Sequence, residues 1–299
     1  MNDNRTRRLK KKAKSEYEQP HVYDRSSSSS AGPPLLGWRS WNLYGANVNQ
    51  SLMEYTMEGI AHRRTHIDAT TGTAVSLCDL GYCDVGLDDN WQACNASEAV
   101  AIGMHYHDET GRPIVNLERF PDLKAMTAHA HALGLTAGWY HNNCICSDYC
   151  RNPQECDLQI RQDALATVEY GFDSVKLDGC GGQMDLHLFD QYLRELSPDK
   201  PILIENCHWG KDGPSILKKN SKQKTVNGES ELDCPFGFYR TSGDIRPNYE
   251  SVMHNLQSVE AFRKHNLSRP GCWAYPDMLQ VGVFEDWSGA TGLTPAETR

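Results

Sequence analysis

From Leu35 onward, short apolar runs alternate with longer amphipathic stretches. The short runs at residues 36–41, 82–87, 135–140, 172–177, 202–205 and 238–241 predict strands, with a weaker seventh at 271–279. Between them, apolar positions return at helical spacing. Residues 125–134 follow Pro121-Asp122 as a start signal and stop at Gly134. Residues 158–170 keep Ile160, Ala164, Leu165 and Val168 on one face, and residues 249–262 behave likewise. No internal repeat at solenoid periods interrupts the pattern.

Strand, helix, strand in this succession implies parallel pairing through helical crossovers. Ile202-Leu203-Ile204 has the continuous apolar texture of a strand buried on both faces. A doubly wound sheet and a (β/α)8 barrel of the TIM type both fit, and the polar residues choose between them. They collect at the C-terminal ends of many runs: Trp41-Asn42, Asp88-Asp89, Tyr140-His141, Lys176 and Asp178, Glu205-Asn206, and Asp244. A doubly wound sheet gathers function at one switch point, often with a glycine-rich phosphate loop. No such loop follows any run, and a ring of polar strand ends is the habit of a barrel. The predicted fold class is therefore α/β, a (β/α)8 TIM-type barrel.

The 299 residues suffice for one large domain. The net charge of −9 hides a split: residues 1–14 carry seven basic groups and one acid, so the rest is strongly acidic. An acidic body is a poor partner for nucleic acid, whose phosphates need Lys and Arg. Residues 1–32 run from basic to Ser-rich and end near Pro33-Pro34, which predicts a disordered arm. No stretch reaches the roughly 18 apolar residues of a membrane-spanning helix. Eleven cysteines suit an oxidising compartment, whereas the sequons at Asn49, Asn95 and Asn266 add little, because such triplets arise often by chance. Residues 1–34 nevertheless hold no apolar leader core, so the compartment is left open.

The most informative stretch is Val175-Lys176-Leu177-Asp178-Gly179-Cys180. In a strand, Lys176 and Asp178 share one face, and two buried opposite charges are costly unless they bind something or each other. Asp244 offers a second carboxylate, equally readable as a helix N-cap before Ile245-Arg246-Pro247. Converging carboxylates with no nucleotide loop suit glycoside hydrolysis. His105, His107, His129 and His131 with Cys144, Cys146 and Cys150 raise the question of zinc. No C-x2-C pair exists, however, and His129 and His131 diverge by about 200° around a helix. Cys180 or Cys207 as a nucleophile lacks any spacing that specifies a base.

Several motifs, in order, resemble glycoside hydrolase family 27, the α-galactosidase (melibiase) and α-N-acetylgalactosaminidase family. They are Gly37-Trp38-Arg39-Ser40-Trp41-Asn42, Leu87-Asp88-Asp89-Asn90-Trp91, Phe120-Pro121-Asp122-Leu123, Ala137-Gly138-Trp139-Tyr140, Val175-Lys176-Leu177-Asp178-Gly179-Cys180, Arg240 to Asp244, and Trp273 to Leu279. The resemblance implies a cofactor-free, metal-free retaining hydrolase with Asp178 as nucleophile and Asp244 as acid/base. In retaining enzymes the two carboxyl groups lie roughly 5–5.5 Å apart. It assigns sugar hydroxyls to Asp88, Asp89, Lys176 and Arg240, with Trp41 and Tyr140 as walls and Asp277 retained nearby. It implies disulfides Cys144–Cys180 and Cys207–Cys234, an α-galactoside oligosaccharide or glycoconjugate as substrate, and a homodimer as the candidate assembly.

Two departures qualify the resemblance. Cys207-His208-Trp209 stands where many α-galactosidases have Cys-Glu-Trp, so His208 puts the group at the sugar's 2-position in question. Trp273-Ala274-Tyr275-Pro276-Asp277 replaces the usual Asn-Asp-Pro-Asp. The family pattern also continues beyond residue 299. The expectation is a catalytic barrel over 33–299 that lacks its last strand-helix unit and any C-terminal β-sandwich. Besides α-galactoside hydrolysis, two readings stay open: a carbohydrate-binding remnant without turnover, and a hydrolase for α-N-acetylgalactosaminides or another sugar such as isomaltose or an arabinopyranoside.

Overall fold

The computed structural model describes residues 35–63, 72–216, 232–280, 283 and 292–294, so the expected arm at 1–32 lies outside the described residues. Seven parallel strands form one sheet: β1 (Gly37–Arg39), β2 (Asp84–Gly86), β3 (Thr136–His141), β4 (Ser174–Asp178), β5 (Leu203–Cys207), β8 (Phe238–Arg240) and β9 (Trp273–Tyr275). Between β5 and β8 sits a two-residue antiparallel ladder, β6 (Ser215–Ile216) with β7 (Leu232–Asp233), which the apolar pattern does not predict. Each predicted strand overlaps an observed one.

Helices α1 (Gln50–Ala61), α2 (Leu123–Ala132), α3 (Pro153–Tyr170), α4 (Leu186–Leu196) and α5 (Tyr249–Ser258) connect the strands. Each begins at an Asn or Asp whose side chain accepts the amide three residues on: Asn49, Asp122, Asn152, Asp185 and Asn248. The predicted helix at 249–262 is broken at Val259 into α5 and a short α6 (Glu260–Lys264). Asp244 is not a helix cap, because Asn248 caps α5.

Outward-facing strand residues bury against the helices. Val85, Leu87, Ala137 and Trp139 join Met53, Met57, Leu123 and Met126 in one cluster. Val175, Leu177, Ile204 and Tyr239 join Ile160, Leu186, Phe189 and Leu193 in a second. The alternate residues therefore face the concave interior.

Strong curvature of the sheet follows from one contact. Strands four places apart in a flat sheet would lie roughly 19 Å apart at about 4.8 Å per step. Yet Arg39 of β1 places Nη2 2.6 Å from Glu205 Oε2 of β5. The sheet curls into a half-barrel whose edges, among the described residues, are β1 and β9. Two glycines make room for the arginine: a Cβ on Gly86 would lie 2.7 Å from the Arg39 guanidinium, and one on Gly138 2.7 Å from Ser174 Oγ and 3.5 Å from Arg39 Nη2.

Candidate functional site

The polar strand ends converge at the C-terminal mouth of this half-barrel. Register puts Tyr140 beside Lys176, Lys176 beside Glu205, and Asp178 beside Cys207. Lys176 and Asp178 share the inward face, as the period of two requires, but they do not pair with each other as their closest contacts. Lys176 Nζ donates to Asp88 Oδ2 at 2.8 Å, and both residues are buried. Burial opposes the lysine's charge most, but Asp88, Cys207 and Asp178 together outweigh it, so the ammonium form is favoured.

Asp178 is held by neutral donors. Tyr140 Oη donates to its Oδ2 at 2.6 Å, and the Gly179 amide donates to its Oδ1 at 2.7 Å. Both donors are uncharged, and among the described residues Asp178 has no direct ionic partner. Burial and the nearby aspartates push the Tyr140 phenol well above its usual range, so it stays a donor. Asn142, at a left-handed φ of 58°, donates its amide to the Asp178 carbonyl and accepts from the Gln183 amide at 2.9 Å.

After β8, two strands along from β4, Asp244 receives two donors. Arg240 Nη2 lies 2.8 Å from Oδ1, and Trp41 Nε1 lies 3.2 Å from Oδ2. Trp41 is not in a strand; it opens a single helical turn, Trp41–Tyr44, directly after β1. Burial works against the Asp244 charge, but Arg240 and Lys176 outweigh it and hold the carboxyl below the usual range. Asp277, two residues past β9, faces Arg240 Nη1 at 3.8 Å and accepts the Ile245 amide at 2.8 Å. Burial raises its pKa despite Arg240. Lys176 stands between the two halves, its charge acting on Asp88, Asp178 and Asp244.

Asp89 is placed differently from its neighbour. Its Oδ2 accepts the Cys144 and Ile145 amides at 2.9 and 2.7 Å, and its Oδ1 accepts the Asn90 amide and Gln92 Nε2. Four donors make it the anchor of the loop after β3. Burial nevertheless raises its pKa to about 6. His208 is buried next to Gly179, with Nδ1 2.9 Å from Asp212 Oδ2.

Disulfides tie the mouth's loops together. Cys144 bonds Cys180, so the loops after β3 and β4 are joined beside Asp178. Cys94–Cys146 and Cys150–Cys156 add further ties, while Cys78–Cys83 closes the turn that leads into β2, at the other end of the strand. The implied pair Cys207–Cys234 is corrected: Cys234 bonds Cys272, and Cys207 is a buried free thiol. The reason is placement. Cys207 ends β5 in register with Asp178 and points into the interior, whereas Cys272 directly precedes β9, which pairs with β8 just after Cys234. Burial pushes the Cys207 thiol well above its usual range, so it has little nucleophilic character.

Of the histidines considered for zinc, His105, His107 and His131 have hydrogen-bond partners among the described residues. His107 lies 2.9 Å from Asp148 and 3.3 Å from Asp163, and His131 lies 2.8 Å from Asp173. The sulfurs of Cys144, Cys146 and Cys150 are all engaged in disulfides.

Sequence reasoning missed Arg39 and Tyr275 as interior residues. Tyr275 donates its hydroxyl to Glu205 Oε1, and the other Glu205 oxygen takes Arg39. The signal for Arg39 was present, since in a strand it shares the inward face with Gly37.

The chain is similar to known proteins over most of its length. The family model described as Alpha galactosidase A matches residues 33–290. An alpha-galactosidase of Cyamopsis tetragonoloba is 29% identical over 286 residues, covering 92% of this chain and 59% of its own. An alpha-N-acetylgalactosaminidase of Gallus gallus is 28% identical, covering 85% of this chain and 59% of its own. The crystal structure of alpha-galactosidase I from Mortierella vinacea superposes with a TM-score of 0.57 at 23% identity, over 83% of this chain and 60% of the other. The chain spans just over half the length of the curated relatives it matches.

Proposed function

The chain belongs to the Alpha galactosidase A (melibiase) family, and on that premise we propose that it hydrolyses terminal α-D-galactosides with retention of configuration. Asp178 attacks the anomeric carbon as the C–O bond to the aglycone breaks, and Asp244 gives its proton to the leaving oxygen. A covalent glycosyl-aspartate results. Asp244, now a carboxylate, takes a proton from water, whose oxygen attacks the anomeric carbon and releases Asp178. Lys176 and Asp88 receive the sugar hydroxyls, with Arg240, Trp41 and Tyr140 around the ring.

The observation that carries this reading is the contrast between the two carboxylates. Asp178 is held by the Tyr140 hydroxyl and the Gly179 amide, while Asp244 is held by Arg240 and Trp41. Two carboxyl groups in different environments at separate strand ends suit two different roles. The test is hydrolysis of an aryl α-D-galactoside by the full chain, beside Asp178→Asn. Turnover that vanishes in the variant, with galactose binding kept, supports the mechanism. Galactose binding without turnover in the native chain would instead support a carbohydrate-binding role.

One observation favours a second reading, action on α-N-acetylgalactosaminides. His208 stands at the position that many α-galactosidases fill with Glu, and the Gallus gallus relative is an alpha-N-acetylgalactosaminidase. Relative kcat/KM on the two aryl glycosides decides between them.

A further inference from the structure

Below the mouth, the half-barrel interior carries a chain of buried polar groups. Tyr275 of β9 donates to Glu205 Oε1, and Glu205 Oε2 takes Arg39 Nη2 at 2.6 Å. Arg39 Nε in turn lies 4.0 Å from Asp88 Oδ2, the oxygen that accepts Lys176 Nζ. Ser40, next to Arg39, accepts the Asp88 amide on its Oγ at 3.0 Å. The brace thus runs from β9 through β5 and β1 to the residue that holds Lys176.

The chain is built around this brace. Gly86 and Gly138 leave the space that the guanidinium fills, and Lys176 and Glu205 are register partners on adjacent strands. A buried ion pair alone is weak grounds for stability, since apolar residues of similar volume often serve as well. What apolar residues could not do is place a cation against Asp88.

We propose that Arg39, braced by Glu205 and Tyr275, is a positioning residue that sets the Asp88–Lys176 pair for sugar binding. This rests on reading Asp88 and Lys176 as sugar ligands. Without Arg39, Glu205 is buried without its ion-pair partner, Asp88 faces one cation fewer, and Lys176 loses its fixed acceptor geometry. Loss of ground-state sugar contacts raises KM rather than lowering kcat.

The test uses the full chain with Arg39→Met, Arg39→Lys, Glu205→Gln and the apolar triple variant Arg39→Met/Glu205→Leu/Tyr275→Phe. Three quantities are read: the KM and kcat split on an aryl α-D-galactoside, the melting temperature, and acylation of Lys176 by an amine-reactive ester. Acylation is measured by mass spectrometry against exposed Lys124. Arg39→Met is expected to raise KM about tenfold with a smaller change in kcat, and to open Lys176 to acylation, with Arg39→Lys restoring part of both. The triple variant is expected to regain the melting temperature but neither the KM nor the protection of Lys176. A triple variant that regains all three would make the brace purely structural and overturn the proposal. So would an Arg39→Met chain with unchanged KM and a protected Lys176. Should Arg39→Met not fold, Glu205→Gln, which keeps the side-chain shape, decides by the same readouts. If the native chain turns over no α-galactoside, the functional reading fails and Lys176 acylation alone decides the positioning role.

Discussion

Arg240 grips Asp244 with Nη2 2.8 Å from Oδ1, and in the free protein this contact keeps the proposed acid in its ionised form. The consequence is a pH dependence. An acid catalyst held below the usual carboxylate range is protonated in a fraction that falls about tenfold per pH unit above its pKa. The kcat/KM profile on an aryl α-D-galactoside is therefore expected to favour acidic pH. Arg240→Gln removes the main cation that outweighs burial, so the descending limb should move to higher pH while affinity drops. A limb that stays in place would separate Asp244 from the acid role.

Tyr140 and Asp178 give the second prediction. The phenol pins one carboxylate oxygen at 2.6 Å, and its ring also lies 5.0 Å from Lys176 Nζ. Tyr140→Phe keeps the ring and loses only the hydroxyl. A freed carboxylate is less well aligned for attack, and misalignment near an ångström costs roughly a hundredfold. We expect kcat to fall by about ten- to a hundredfold, with the melting temperature nearly unchanged. An unaltered kcat would remove Tyr140 from the mechanism.

Behind β3, His107 sits fully buried between Asp148 and Asp163. Burial opposes its charge, but Asp163 and Asp148 outweigh that and raise its pKa to about 9. A raised folded-state pKa contributes stability that is full below the unfolded value of about 6.5 and is lost as pH rises through about 9. His141, which also faces Asp163, is instead driven down to about 4 by burial and stays neutral near neutrality. His107→Gln should therefore be destabilised at pH 6, and the gap to the native chain should narrow as pH climbs from about 6.5 to about 9. Thermal unfolding across that range reads the effect. A gap that does not change with pH would mean that His107 is neutral in the folded protein.

The cysteines give a fourth. Cys207 is buried and free, and the other ten cysteines form five disulfides. Thiol titration of the native chain should find almost no reactive sulfur, and the unfolded, unreduced chain should show one. Non-reducing peptide mapping should join Cys234 to Cys272. A Cys207–Cys234 peptide would contradict the interior placement of Cys207.

Local pattern carried the succession of elements, because burial on a helix or strand repeats at a fixed short period. The strands at 136–141 and 174–178 could be read, to within a residue or two at each end, from the short apolar runs at 135–140 and 172–177. The shared face of Lys176 and Asp178 could be read from the pleat, and the cluster of carboxylates at strand ends from their positions after those runs. Less was legible where an element is mostly polar or only two residues long, as with the β6–β7 ladder or the helix break at Val259.

What the sequence by itself determined, then, was which faces carry charge and at which end of the strands they lie. Tertiary structure alone decided who meets whom. Lys176 could have paired with Asp178, two residues away, but the interior sets its ammonium against Asp88, 88 positions earlier. Trp41 reaches Asp244 across 203 residues. Cys234 meets Cys272 because β8 and β9 are neighbours, while Cys207 is turned into the interior. The physical reason is curvature. Strand register and the curl of the sheet bring distant side chains within hydrogen-bond reach, and neither quantity is encoded in any short window of the chain.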